Sequence, residues 1–132
     1  VNAKFLLQGY YLTGGTMKPV LVNQGVGSNT LLTDTVTIEL HASFYPYALI
    51  GSRKSIVDVN GNVSTSITCA PGQYYLVIKH RNTLPTWSAV PVQVGTSTVY
   101  DFTTSNANAY GGNMIEIESG IWAFFSGELI GD

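Results

Sequence analysis

The stretch Asp34-Thr35-Val36-Thr37-Ile38-Glu39-Leu40 decides the reading of this chain: Val36, Ile38 and Leu40 alternate with Thr35, Thr37 and Glu39. Successive side chains of an extended chain point to opposite faces, so a period of two gives a strand with one apolar and one polar face. The pattern recurs outward from there. Val63, Thr65 and Ile67 alternate with Ser64, Ser66 and Thr68, and Tyr74, Leu76 and Ile78 alternate with Tyr75, Val77 and Lys79. Further strands are expected near 3–12, 46–51, 54–59, 87–94, 97–103, 113–118 and 121–126, and no capped helical pattern of useful length occurs. Asn60-Gly61-Asn62 reads as a hairpin turn, because both Asn and Gly tolerate positive φ. Ala70-Pro71-Gly72 and Gly95-Thr96-Ser97 punctuate the rest. Turn signals about every 8–12 residues predict an all-β fold, an antiparallel Greek-key β-sandwich of about seven to nine strands. Its core is expected to hold Val36, Ile38, Leu40, Val63, Ile67, Tyr74, Leu76 and Ile78. The irregular stretch Thr13–Asp34 reads as a packed loop, given Leu21, Val22, Leu31 and Leu32.

Residues 1–132 fit one domain with one real core. Hydrophobic residues make up 45% but charged residues only 11%, against a usual charged share of about 25%. Neutral Thr, Ser, Asn and Gly fill the place of charge, as on extracellular β-proteins or on surfaces covered by neighbouring domains. Six scattered basic residues and a net charge of −2 argue against nucleic acid, which demands clustered cations. No apolar run reaches the roughly 18 residues of a membrane-spanning helix. No leader-type segment opens the sequence at Val1, so a processed product or a segment of a longer chain is expected. Cys69 has no partner for an internal disulfide and reads as a buried, inert thiol at a strand end.

Chemistry-bearing residues are sparse. Glu116 and Glu118 share a strand face at i, i+2; as a glycosidase pair they would flank a sugar bond, and as ordinary edge carboxylates they would discourage edge pairing. Asp58 precedes a tight turn and is expected to bond local amides. His41 and His80 form no cluster with ligand spacing, and no nucleophile elbow surrounds Ser88 or Ser126. No metal, no cofactor and no enzymatic activity are therefore expected. The densest polar run is Lys79-His80-Arg81-Asn82, followed by Trp87. One reading makes His80, Arg81, Asn82 and Trp87 a sugar site, with Trp87 stacking on a pyranose face and Tyr45 and Tyr47 as a second aromatic platform. The other makes Arg81 a loop brace and Trp87 a core plug, inward with Ala89 and Pro91.

Val57-Asp58-Val59-Asn60-Gly61-Asn62-Val63 followed by Ala70-Pro71-Gly72-Gln73-Tyr74-Tyr75-Leu76-Val77-Ile78 resembles the turn-and-strand pattern of transthyretin-like and collagen-adhesin B-type domains, which are Greek-key sandwiches. A wider resemblance runs through Leu7-Gln8-Gly9-Tyr10-Tyr11, Met17-Lys18-Pro19-Val20-Leu21, Asp34–Leu40, Lys79–Asn82 with Thr86-Trp87-Ser88-Ala89, Tyr100-Asp101-Phe102-Thr103-Thr104, Ala109–Asn113 and Ala123–Gly127. These blocks look like one domain type of large secreted Bacteroidetes adhesins and polysaccharide-degrading enzymes, typically exported by the type IX system. The resemblance implies a secreted or cell-surface location. Domains of that type usually run on into an acidic calcium loop. Here Glu128 and Asp132 alone cannot supply six or seven oxygens, and calcium is not carried over.

The expected function is a non-catalytic extracellular recognition or adhesion module, with polysaccharide or a cell-surface glycan as partner. The alternative is a structural subunit of an extracellular filament or surface fibre, packed against neighbouring domains or identical subunits. In that reading the apolar run Ala3–Leu12 either completes its own sheet or is donated to a neighbour.

Overall fold

The computed structural model describes residues 1–20, 25, 30–81, 83–94 and 99–125. Asn82, the Gly95-Thr96-Ser97 turn, Leu21, Val22 and the end of the chain from Ser126 to Asp132 lie outside the described residues. The fold is all-β, with ten strands among the described residues: β1 (Asn2–Lys4), β2 (Leu32–Ala42), β3 (Leu49–Asp58), β4 (Asn62–Ser64), β5 (Gly72–Lys79), β6 (Thr86–Trp87), β7 (Val92–Val94), β8 (Val99–Asp101), β9 (Met114–Glu118) and β10 (Ile121–Phe124). The main sheet has the order β3-β2-β5-β6, with β7 also paired to β5. A second sheet has the order β4-β1-β8 and a third is the β9–β10 hairpin. All pairings are antiparallel except β1 with β8, which is parallel.

The alternation that announced β2 and β5 sets their register. Ile38 lies opposite Ile78 and Leu40 opposite Leu76, all fully buried. One apolar cluster joins this face to Ala3, Phe5, Val63, Phe102, Ala123 and Phe124, so all three sheets contribute to the same core. Phe5 stacks on Phe124 at 5.1 Å and Phe102 meets Phe124 edge-on. Six of the eight expected core residues are buried; Ile67 and Tyr74 are half-buried against the cluster.

Several local expectations change. Asn60-Gly61 does not close a hairpin. It carries the chain from β3 in the main sheet to β4, which pairs with β1. Asp58 Oδ1 accepts from the Asn60 and Asn62 amides, both at 2.9 Å, and builds the turn as expected. Gly61 sits at φ 89°, and a Cβ there would stand 2.4 Å from the Phe5 carbonyl oxygen, so the glycine is required by both backbone and space. The apolar run 3–12 is not one strand. Its strand covers only Asn2–Lys4; beyond it the run buries Phe5, Leu6 and Leu7, makes single bridges from Leu7 to Phe124 and from Tyr11 to Met17, and turns through a short 3-10 segment at Gln8–Tyr10. The N-terminal run thus completes a sheet of its own chain. The strands expected at 46–51 and 54–59 are one strand, β3, bulged near Gly51, while the one expected at 87–94 splits into two. Ser88 causes that split: its hydroxyl accepts the Leu76 amide at 3.0 Å and donates to the Val90 carbonyl at 2.8 Å, interrupting the ladder. β4 ends at Ser64, which leaves Cys69 half-buried in an irregular segment and not at a strand end.

Candidate functional site

Register places the functional side chains. Glu39 pairs with Val77, His41 with Tyr75, and Val77 with Trp87. Directly paired residues share a face, so Glu39, His41, Tyr75, Val77, Lys79 and Trp87 all lie on the face of the main sheet opposite the core. Thr86, one residue earlier, pairs with Ile78 and is buried on the core side. Trp87 is therefore no core plug; it is half-buried on the outer face.

At the end of β2 the chain reverses through Ser43–Ala48. Ala42 N–H donates to the Ala48 carbonyl at 2.9 Å and Tyr47 N–H to the Phe44 carbonyl at 2.7 Å. Tyr47 has φ 59°, a left-handed conformation uncommon for a bulky residue. It turns the Tyr47 ring over the outer face. Tyr45 and Tyr47 meet edge-on at 6.1 Å, Tyr47 and Tyr75 at 5.8 Å, and Tyr75 lies 6.0 Å from Trp87. On the far side, Ala89 N–H donates to Asn108 O and Ser88 bridges to Ala109, which brings Tyr110 alongside. Tyr47, Tyr75, Trp87 and Tyr110 line a cleft of about 260 Å³. Tyr45 is 82% exposed at its rim and Tyr110 66%.

Beneath the rings runs a polar chain. His41 lies 4.5 Å from Trp87, ring centre to ring centre. Its Nε2 is 2.8 Å from Glu39 Oε1 and its Nδ1 2.8 Å from the Tyr47 carbonyl. Lys79 Nζ reaches the other Glu39 oxygen at 3.1 Å. Burial alone would push the Glu39 carboxyl up; the hydrogen bonds from His41 and Lys79 and their charges outweigh it and hold the group below the usual carboxylate range.

Comparison with protein-family models, with curated proteins and with solved structures returns no match. The chemistry rests on the geometry of the chain itself.

Two other sequence-predicted residues, His80 and Arg81, are not part of this cleft. His80 is buried on the core side, with Nε2 2.9 Å from Asp34 Oδ2. Arg81 meets the same oxygen at 3.1 Å and the Tyr10 hydroxyl donates to it at 3.2 Å. Burial would raise the Asp34 carboxyl, but the bonds from His80 and the Thr35 amide and the Arg81 charge hold it low. The site proposed along Lys79–Trp87 is thus divided: Trp87 joins Tyr45 and Tyr47, while His80 and Arg81 tie β5 to the start of β2. Adjacency in sequence misled because consecutive strand residues face opposite ways. Tyr75 was legible as an outward residue of β5, by the same alternation that marked Leu76 as core. Tyr110 sits in a turn that carries no periodic signal.

Glu116 and Glu118 have separate duties. Glu116 Oε2 accepts the Gly120 amide at 3.0 Å and closes the β9–β10 turn. Glu118 Oε1 accepts from the Tyr11 hydroxyl and, at 2.8 Å, from the Gly14 amide, pinning the 11–15 turn; these bonds lower its carboxyl, while burial, and after it the bond to Glu118, raises the Tyr11 phenol. A second hollow beside β1 and β4, near Asp58, Asn62 and Ser64, already has Asp58 committed to turn amides and the Ser64 hydroxyl to Asn2. Among the described residues no three His, Cys, Asp or Glu gather to hold a metal.

Proposed function

We propose that this chain is a non-catalytic extracellular recognition module that binds polysaccharide or a surface glycan in the cleft of Tyr47, Tyr75, Trp87 and Tyr110, with Tyr45 as an outer platform. The observation that carries the reading is the convergence of these rings, from four separate segments, on the solvent face of the sheet. Core aromatics such as Phe5 and Phe124 are enclosed, whereas these are open to solvent, and exposed aromatic patches mark interaction surfaces. Sugar rings present C–H faces that stack on aromatics, and hydroxyls that the phenol groups of Tyr47, Tyr75 and Tyr110 can bond. The cleft is smaller than the roughly 300–1,000 Å³ of enclosed ligand sites, which suits one ring of a chain that extends into solvent. In this reading the frame is a Greek-key sandwich displayed outside the cell, as the resemblance to secreted adhesin domains implies.

A glycan array with polysaccharide pull-down identifies the ligand. On the resulting ligand, Trp87→Ala should weaken binding by about 1–3 kcal/mol, the scale of a truncated aromatic hot spot. The variant should remain folded, since a core aromatic would cost about 3–5 kcal/mol of stability and Trp87 lies outside the core. Unchanged binding by Trp87→Ala would sink the reading.

A second reading, a subunit of a surface fibre, draws on β3. Among the described residues this ten-residue strand pairs on one side only, and Leu49, Ile50 and Ile56 along it are exposed. Open edges accept a further strand. Concentration-dependent polymers by light scattering would favour it; a monodisperse monomer would reject it.

A further inference from the structure

We propose that His41 is the positioning residue of the aromatic cleft and works as an imidazolium, so that loss of one proton releases the Tyr45–Tyr47 turn from the sheet. The inference rests on the cleft being the binding site, but its main test needs no ligand.

The argument is one of donors and acceptors. His41 Nδ1 faces the Tyr47 carbonyl at 2.8 Å, and a carbonyl oxygen only accepts. His41 Nε2 faces Glu39 Oε1 at 2.8 Å. The Glu39 carboxyl is ionised, with Lys79 on its other oxygen, so it also only accepts. A neutral imidazole has one N–H and one lone pair, and it satisfies one contact while setting lone pair against lone pair in the other. Only the doubly protonated ring donates to both. Its charge is also favourable against the face of Trp87 at 4.5 Å.

The surroundings show which bond is lost on deprotonation. From β2 the ring meets Glu39. From β5 it meets Tyr75, directly opposite, and the Lys79 charge one step beyond through Glu39. From β6 it meets Trp87, from β3 the apolar Leu49 opposite, and from the turn Tyr47. The carboxylate is the strongest acceptor in this set, so the remaining proton stays on Nε2. The abandoned bond is the one to Tyr47, whose backbone carries one wall of the cleft. Tyr47 already occupies an uncommon φ of 59°, so the turn has a reason to relax once the bond is gone.

The test uses the whole chain with ¹⁵N-labelled histidine. In acid, both His41 nitrogens should show protonated shifts. As the pH is raised, Nδ1 should move to the lone-pair range while Nε2 stays protonated. Contacts between the Tyr47 and Trp87 rings, read as nuclear Overhauser effects, should weaken with the same midpoint. The closed-to-open ratio of the turn should fall about fivefold, the worth of one ordinary hydrogen bond. In a Trp122→Phe background Trp87 is the sole indole, and its emission should rise over the same range as the quenching imidazolium is lost. In His41→Gln that step should vanish. An Nδ1 that keeps its proton while Nε2 loses it, or a Tyr47–Trp87 contact that does not change through the titration, overturns the proposal, whether or not His41→Gln folds. Failure of glycan binding leaves these readouts intact and bears only on the function of the cleft.

Discussion

Two histidine–carboxylate pairs stand on opposite faces of the main sheet, each with its carboxylate on β2. Asp34 and His80 join β2 to the end of β5 on the core side, with side chains 5% and 0% exposed. Glu39 and His41 lie on the outer side, 10% and 14% exposed, under a cleft open to solvent. The distances are nearly the same, 2.9 and 2.8 Å. What differs is who shares the carboxylate. Asp34 Oδ2 also holds Arg81 and Tyr10, and its Oδ1 the Thr35 amide, so the group is fastened from several elements. Glu39 holds only side chains of its own face, and its histidine passes the connection on to a turn. A pair of this kind is a fastening when its neighbours converge on it and a lever when one neighbour leads outward.

Asp34→Ala is the severest way to break the comparison. It abandons a buried imidazole and a guanidinium that share one oxygen, and should cost about 3–5 kcal/mol in urea unfolding. Glu39→Ala leaves Lys79 and His41 within reach of water and should cost about 1 kcal/mol. Equal losses would show the two pairs to be the same kind of element. Acid gives an intermediate effect. Both carboxyls are lowered in the folded state, so their stabilisation is complete above the unfolded-state values of about 3.9 for Asp and 4.3 for Glu, and is lost as pH falls through and below that range. The urea midpoint should drop between pH 6 and pH 3, and Glu39→Gln should remove a smaller part of that drop than Asp34→Asn. The smallest effect is expected from Lys79→Ala. Lys79 is half exposed, and the surface half of its bridge should be worth no more than about 0.5 kcal/mol.

The strands with strict alternation, β2 and β5, were legible because their periodicity is the physical cause of their burial. The Asp58 turn was legible because a carboxylate before Asn-Gly has local amides to satisfy. What followed the turn was not: Asn-Gly fixes a reversal of direction but not which sheet receives the next strand, and here that depends on Phe5 closing over Gly61. The pairing of Trp87 hung on Ser88, whose hydroxyl replaces a ladder bond, and no periodic pattern announces a side chain substituting for backbone. Tyr45, Tyr47 and Trp87 were chosen for ring chemistry and do come together. His80 and Arg81 were chosen for proximity along the chain; both lie past the end of β5 at Lys79, and both turn to Asp34, away from the cleft.

The three residues of β1 have a kinetic consequence. Ala3 is paired on one side with Val63 and on the other with Tyr100. Both neighbours lie far along the chain, and closing such long loops costs entropy before any contact returns it. β1 therefore lacks its first neighbour until β4 has been made and its second until β8 has, and Phe5, Leu6 and Leu7 beside it stay uncovered meanwhile. A sheet built this way is completed last at its middle strand.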